Sequence, residues 1–371
     1  MIHKIWDKDV TDSETGGIKD HLIKNFTAVH FNPPNNPDNP LEIIADSLIK
    51  LVSKMDLAEL TSLEQLIYTM ASGDSIPEGF SDMLWRKFSS RSKTDSVNSR
   101  KCALQLLGML GKANKEIISE HLDVLTRVGL CELSHDFTVA RYACIAVQQM
   151  FDVKREKGSL AASYPRKSSQ HPTCVRICQL LLERTDSDDW YAFAEQAISA
   201  LYGFIELPDI ICGDLIKKLT ARVFNVTATS TEEVENLADM LSNTILAEEG
   251  GLPEKTAVID ISNDISYSDL SQLVFVVGHV ALKQIVHLEA IEGEWKRRKH
   301  CARAAEAISQ RELGDLDMVT GTAEDEFVEG VHFVREKELL YGPNSLLGAY
   351  SSLITYLCQE AAHFDVRPIM T

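Results

Sequence analysis

Two stretches of this chain carry the same helical pattern at a separation of 40 residues. Residues 97–103 read VNSRKCA and residues 137–143 read FTVARYA, so Lys101 is matched by Arg141. The same offset aligns three further pairs of apolar residues: Leu106 with Ala146, Leu107 with Val147, and Leu110 with Met150. A single helical hairpin buries only one face, so repeated hairpins must stack on one another to complete a core.

This separation is typical of HEAT and armadillo arrays, whose repeats span ~40–47 residues. Apolar residues recur at helical spacing along most of the chain, and no series of alternating strand patterns accumulates. Small residues at Ala103, Ala143 and Ala197 permit close helix packing, and residues 189–204 resemble the first helix of another repeat. The sequence therefore predicts an all-α, α-α superhelix of the HEAT or armadillo-like solenoid type with long inserted loops.

Several helix ends are also predicted. Pro40 follows a run rich in proline and asparagine and suits the first turn of a helix. Residues 95–128 indicate one helix, a break near residues 111–114, and a second helix. Three pairs have capping-box spacing before an apolar series: Thr61 with Glu64, Ser230 with Glu233, and, as an acidic variant, Ser266 with Asp269.

The predicted organisation has six parts. Helical repeats at 1–151 and 173–248 are separated by a basic loop insertion at 152–172. A second loop at 249–269 precedes long helices at 270–358, and an atypical tail occupies 359–371.

Composition narrows the function classes. The formal net charge is −18, so non-specific DNA binding would require strong local segregation of the positive charges. The eight cysteines are scattered through helical patterns, which indicates reduced thiols of an intracellular protein. The first residues lack the apolar stretch of a signal peptide, and the apolar run 273–282 is shorter than the ~20 residues of a membrane span. The sequence predicts a nuclear or cytoplasmic protein with no membrane partner.

Motifs for catalysis or cofactor binding are missing from the sequence. His171, Cys174 and Cys178 do not have a standard zinc spacing, so the two cysteines are expected to face a core. The stretch 108–112, GMLGK, lacks the spacing of a phosphate loop and is interpreted as a helix end. We therefore expect no enzyme activity, no cofactor, no metal and no small-molecule substrate.

Four segments resemble the condensin subunit 1 family. They are 273–284 (LVFVVGHVALKQ, followed by HLE at 287–289), the basic run after Trp295, 321–326 (GTAEDE) and 335–342 (REKELLYG). The residues that carry the resemblance are Gly278, His279, Lys283, Gln284, Glu324, Asp325 and Glu338. A looser resemblance extends over residues 1–358, and the condensin II paralogue shares the same architecture.

The resemblance implies a non-enzymatic HEAT-repeat scaffold of the condensin complex. Such a subunit is held by the kleisin subunit, contacts the ATPase heads of the chromosome ring, and serves mitotic chromosome condensation in the nucleus, on chromosomes and in the cytoplasm. This chain is several-fold shorter than the family's full subunit, so the resemblance implies a central fragment.

Two basic segments are candidate contacts for DNA or for acidic partner surfaces. The candidates are Lys296, Arg297, Arg298, Lys299 and Arg303 on one helix, and Lys154, Arg155, Lys157, Arg166 and Lys167 in the loop insertion. The alternatives are a solvated helix face or a nuclear-localisation-like run.

Two other features have structural interpretations. Gly278 and His279 are interpreted as a close helix crossing with a hydrogen-bonded histidine, and the acidic run 324–326 with Glu329 as a helix N-terminus.

Two other function classes remain open. A nuclear transport receptor of the importin type, or another HEAT adaptor, would also be acidic, but it would show more uniform repeats and a Ran-binding N-terminal end. A helical enzyme would require a convergent set of polar residues, which the sequence does not indicate.

Overall fold

All named secondary-structure elements are helices in the part of the chain that the computed structural model describes. That part comprises residues 13–31, 39–91, 96–151, 166–224, 266–309, 320–341 and 345–359. Within it, the β structure is limited to an isolated parallel bridge between Lys167 and Ile205. The prediction of an all-α fold is confirmed.

The chain divides into two compact units. The first comprises residues 1–181 and 188–206, and the second comprises residues 182–187 and 207–371. The predicted boundaries at residues 151, 172, 248 and 269 stay predictions.

The first unit contains ten helices in its described part, most of them in pairs. They are α1 (Ser13–His30), α2 (Pro40–Val52), α3 (Leu57–Ser72), α4 (Phe80–Ser89), α5 (Val97–Ala113), the short α6 (Glu116–Ser119) and α7 (Leu122–Val124), α8 (Phe137–Gln149), α9 (Pro172–Leu181) and α10 (Asp189–Phe204). A π-helical segment, Leu125–Glu132, follows α7 directly.

The 40-residue repeat corresponds to two neighbouring helices. Helix α5 begins at Val97 and α8 at Phe137, and each packs against the other. The matched apolar residues are at most 2% exposed: Ala103 and Ala143, Leu106 and Ala146, Leu107 and Val147, and Leu110 and Met150. Helix α8 in turn packs on α10, where Phe137 and Phe193 approach to 5.5 Å between ring centroids. Successive first helices therefore stack as the repeat predicts.

Small residues let the π-helical segment lie close to α8. A Cβ added at Gly129, on the π-helical segment, would lie 3.1 Å from Cβ of Ala143.

The predicted break after α5 is confirmed, but the predicted second helix is divided into α6, α7 and the π-helical segment.

Helix starts follow local capping chemistry. Pro40 occupies the first turn of α2, and Ser266 Oγ accepts a hydrogen bond from Asp269 N at 3.4 Å, so both predictions are confirmed. The predicted start at Thr61 is wrong, because Asp56 and Glu59 form the capping box of α3. A Thr–x–x–Glu pattern can also occur inside a helix. Thr61 lies inside α3, where its Oγ1 donates to Leu57 O. The pair Ser230 and Glu233 lies outside the described residues.

The second unit is built around one long helix. Its described helices are α11 (Pro208–Val223), α12 (Tyr267–Ser309), α13 (Thr320–Phe333) and α14 (Leu346–Gln359), with a π-helical segment, Val334–Leu340, after α13. Helix α12 packs against α11 and α14 through a face that is almost fully buried and consists of Leu273, Val276, Val277, Val280 and Ala281. The long helix predicted from residue 270 is confirmed.

A polar cluster joins α11, α12 and residues 182–187 within this unit. Arg222 Nη2 lies 2.9 Å from Asp269 Oδ1, and both side chains are about nine-tenths buried. Arg222 Nη1 also donates to Leu182 O at 2.9 Å, while Gln272 Nε2 donates to Thr185 O at 3.0 Å. Because each buried charge has a partner, the cluster can hold the three segments together without an uncompensated charge.

Two glycines of α5 give a matched test of the packing. We expect Gly108→Ala to raise the free energy of unfolding by about 0.5–1 kcal/mol, because its Cβ meets no atom within 4 Å and alanine loses less entropy in a helix. Gly111→Ala should lower it by about 1–3 kcal/mol, because its Cβ would lie 2.5 Å from Cγ1 of the fully buried Ile118. Urea denaturation measures both; equal signs would contradict this packing.

Arg222 and Arg184 test the polar cluster in the same way, since both lie near Asp269. Arg222→Ala should reduce the free energy of unfolding by about 3 kcal/mol, because it leaves a buried carboxylate without its partner. Arg184 is 69% exposed and 3.8 Å from Asp269, so Arg184→Ala should cost less than about 1 kcal/mol. Thermal unfolding of the two variants side by side would refute the idea if their losses were similar.

Candidate partner-binding surface

The basic run 296–299 lies on the exposed second half of α12. Lys296 is 57% exposed and Arg298 is 71% exposed, whereas Arg297 is 32% exposed. Two carboxylates one turn earlier contact three of these four cations. Lys296 pairs with Glu292, while Arg297 and Arg298 both pair with Glu294.

Glu294 is the centre of this network. It accepts from Arg297 Nε at 3.0 Å and Nη2 at 2.7 Å, and from Arg298 Nε at 2.9 Å. These hydrogen bonds lower the pKa of Glu294 to about 2, and the bond from Lys296 lowers the pKa of Glu292. The run is therefore half neutralised within its own helix, which reduces its field on a distant polyanion.

Trp295 joins the basic run to α13. Its ring stacks on Phe327 at 4.5 Å between centroids, with the planes 9° apart, and Lys299 Nζ lies 5.1 Å from the Trp295 centroid. This geometry combines an aromatic pair with a cation–π contact. The lysine is thus held beside the α12–α13 contact instead of projecting freely from the helix.

The other candidate cations differ in their placement. Arg166 Nη1 donates to Ile205 O at 3.3 Å, and the backbone of Lys167 bonds to Phe204 O and Glu206 N. Both side chains are half-buried against the end of α10. Lys154, Arg155 and Lys157 lie outside the described residues, as does the side chain of Arg303.

Four of the residues that carry the family resemblance, Gly278, His279, Lys283 and Gln284, lie on α12. Gly278 is exposed and a Cβ there would meet nothing within 4 Å, so the expected close crossing is wrong. The reason is that this glycine faces away from α11 and α14. His279 is half-buried and stacks on Phe275 at 5.8 Å. Lys283 and Gln284 are also half-buried.

The acidic run was expected at a helix N-terminus, and its position differs from that. Helix α13 begins at Thr320, with no acidic residue in its first turn, so Glu324 and Asp325 lie in the second turn. Their side chains are outside the described part, while Glu338 is exposed on the π-helical segment that follows α13.

An apolar ridge lies on the same face of α12 as Gly278. Leu282 is 54% exposed and Val286 is 51% exposed, one helical turn apart. The span Tyr267–His300 is long and apolar enough to cross a membrane by length and composition. Length and composition are weak evidence for a membrane span here, because the opposite face of α12 packs on α11 and α14 as a core helix does. The sequence did not predict this ridge, because the neighbouring helices decide which side of α12 is buried.

The cysteine cluster has a packing role in α9. Cys174 is 1% exposed, and a hydrogen bond with Cys178 lowers its pKa. His171 Nδ1 accepts from Thr173 N at 3.2 Å at the start of α9. Among the described residues, no group of three histidine, cysteine or acidic side chains could hold a metal ion.

The described residues define an all-α protein of packed helices, with an exposed apolar ridge and a partly neutralised basic run on α12. No protein-family profile matches it. Condensin complex subunit 1 of Schizosaccharomyces pombe is 34% identical over 372 residues, which is 97% of this chain and 31% of that protein. Its Saccharomyces cerevisiae counterpart is 28% identical, over 98% of this chain and 31% of that protein.

The similarity extends to animals. Condensin complex subunit 1 of Homo sapiens is 24% identical over 97% of this chain and 25% of that protein. The chain belongs to the condensin complex subunit 1 family and spans about a third of the length of its yeast relatives.

Glu294 gives a prediction for the pH dependence of stability. Its folded pKa, about 2, lies below the ordinary 4.5, so its ion pairs stabilise the fold fully above that range. This contribution is lost as the pH falls from about 4.5 towards 2. Glu294→Gln should therefore lower the urea midpoint slightly at neutral pH and hardly at all near pH 2–3. Glu289→Gln, which changes an exposed carboxylate of the same helix, is the control; a larger Glu294→Gln effect in acid would contradict the assignment.

Proposed function

We propose that this chain is a non-enzymatic, HEAT-type scaffold segment of a condensin subunit. In this proposal it binds the kleisin subunit and the ATPase heads of the chromosome ring during mitotic chromosome condensation. It would act in the nucleus and on chromosomes, with a cytoplasmic pool. The observation that carries the proposal is similarity to subunits named as part of the condensin complex over 97% of this chain.

The fold supports a scaffold role for a physical reason. Stacked helical pairs bury one side of each helix and leave the other side as an extended surface. On α12 that surface includes the apolar ridge at Leu282 and Val286, beside the half-buried Lys283 and Gln284. Apolar side chains exposed in a row favour contact with another protein, because covering them removes apolar area from water.

The polar clusters of the described residues also fit a scaffold better than an enzyme. Lys87 pairs with Glu42 at 3.0 Å and Asp46 at 2.9 Å, and Arg222 pairs with Asp269. These groups join neighbouring helices and leave no free acid or base aimed at a common point. Such fixed, mutually neutralised pairs are typical of structural networks.

The basic run 296–299 is proposed as a secondary contact for an acidic partner surface or DNA. Its four cations exceed its two contacting carboxylates, Glu292 and Glu294, by two charges. Exposed cations of this kind mainly raise association rates and bind reversibly. Within this proposal the apolar ridge provides affinity and the basic run provides orientation.

Affinity capture of the tagged chain from mitotic cells tests the proposal. We expect recovery of kleisin and the ring ATPases, and cross-links from Lys283, Lys296 or Lys299 to one of them. Recovery of Ran or importin cargo instead would favour the nuclear transport alternative and refute the condensin role.

Two charge variants of the second unit sharpen this experiment. Lys296→Gln with Arg298→Gln should reduce the captured ATPases or kleisin by several-fold, more strongly at low salt, because long-range attraction is screened by salt. Lys218→Gln with Lys337→Gln removes the same charge from other exposed positions and should leave capture unchanged. Equal losses in the two double variants would remove the basic run from the proposal.

A further inference from the structure

A further basic segment was not recognised in the sequence. Residues 86–101 contain six lysine and arginine residues and one acidic residue, in a chain whose net charge is −18. The segment includes the end of α4 and the start of α5. Two of its cations, Arg91 and Arg100, are brought by the tertiary structure to the same carboxylate as Arg127.

Three arginines converge on one carboxylate in the first unit. Arg91, after α4, and Arg127, on the π-helical segment, both contact Glu132 Oε1, the latter at 3.3 Å. Arg100, from the first turns of α5, lies 4.0 Å from Glu132 Oε2. These contacts lower the pKa of Glu132, mainly through the hydrogen bond from Arg91. We call these four residues the arginine cluster.

The arginine cluster has an immobile part and an accessible part. Arg100 is held by a 2.8 Å hydrogen bond from its Nε to Phe88 O, and its side chain is 11% exposed. Arg91 and Arg127 are 73% and 55% exposed. Each guanidinium has five N–H donors in a planar fork, more than one carboxylate can accept. The accessible pair can therefore bind another anion while Arg100 retains Glu132.

A fourth arginine extends the positive surface along the same π-helical segment. Arg176 Nε, from α9, donates to Leu130 O at 2.8 Å, and its Nη1 donates to Gln179 Oε1. The nearby acidic Asp136 uses Oδ1 to cap α8 through Thr138 N and Val139 N. The carboxylate facing the three converging arginines is thus Glu132.

We propose that the arginine cluster binds a phosphorylated serine or threonine in a segment of another protein. A phosphate monoester carries about −1.5 to −2 charges, which matches three arginines less one glutamate. Paired guanidinium forks recognise its oxygens through charge-assisted, bidentate hydrogen bonds. This site lies in the first unit, whereas α12 lies in the second, and it does not depend on the proposed condensin role.

Geometry favours a phosphoprotein over duplex DNA. The three guanidinium groups converge on one point, as suits a single dianion. DNA instead carries one charge per ~1.7 Å along its axis and is bound by rows of cations. The net charge of −18 further opposes a long polyanion, whereas a short segment meets mainly the local field within a Debye length of ~8 Å.

Binding of the whole chain to an immobilised, degenerate phosphothreonine peptide library tests this proposal. The matched unphosphorylated library and a labelled 30-base-pair DNA duplex are run at the same salt concentration. We expect retention on the phosphorylated library only. Equal retention on both libraries, or preferential binding to the duplex, would overturn the proposal.

Variants separate the arginine cluster from general charge. Arg91→Gln with Arg127→Gln should weaken binding by about tenfold or more, as expected for lost charge-assisted hydrogen bonds. Arg86→Gln with Lys54→Gln removes the same charge from exposed positions outside the arginine cluster and should have little effect. A similar loss in this control would exclude a specific site.

Glu132→Gln provides a test of opposite sign. It removes the internal competitor, so retention on the phosphorylated library should rise several-fold. A purely structural role for Glu132 predicts no such gain and would stand if retention stayed constant or fell. Circular dichroism checks folding, and the single exposed variant Arg127→Gln replaces any variant that does not fold.

Discussion

Close packing of α8 between α5 and α10 is the constraint on which the first unit depends. Ala143 and Ala197 have no exposed surface, and a Cβ at Gly129 would already lie 3.1 Å from Ala143. Helix α8 buries all of its apolar contact area, worth about 25 cal/mol per Å², only when both neighbours are present. The stability of one helical pair is therefore tied to the next, as in repeat proteins generally.

Buried polar groups also connect helices to earlier helical segments. Arg176 donates to Leu130 O, and Arg222 donates to Leu182 O, so two arginines 46 residues apart each satisfy a backbone carbonyl at the end of an earlier helical segment. A guanidinium is well suited to this task, because the carbonyls at helix C-termini carry partial negative charge. In the first unit, Thr126 and Thr173 add a hydroxyl pair at 2.7 Å. These contacts fix the register between helices, which apolar packing alone leaves adjustable.

The two basic surfaces differ in where their neutralising carboxylates come from. On α12, cations adjacent in sequence find carboxylates one turn away, so local helix geometry neutralises much of the run. In the arginine cluster, Arg91, Arg100 and Arg127 come from different elements and share only Glu132. Charge in this protein is therefore better judged by the balance of nearby partners than by the density of basic residues along the chain.

The sequence by itself determined the helical fold, the equivalence of α5 and α8, the extent of α10, and the family resemblance, because helical periodicity and small residues are local properties. Tertiary structure decided which side of each helix is covered. It therefore decided that Gly278 is exposed, that Arg166 is half-buried, and that Arg127 and Arg91 share Glu132. These outcomes depend on contacts between residues far apart in the chain, and a pattern along one helix does not specify the groups that its neighbours bring to it.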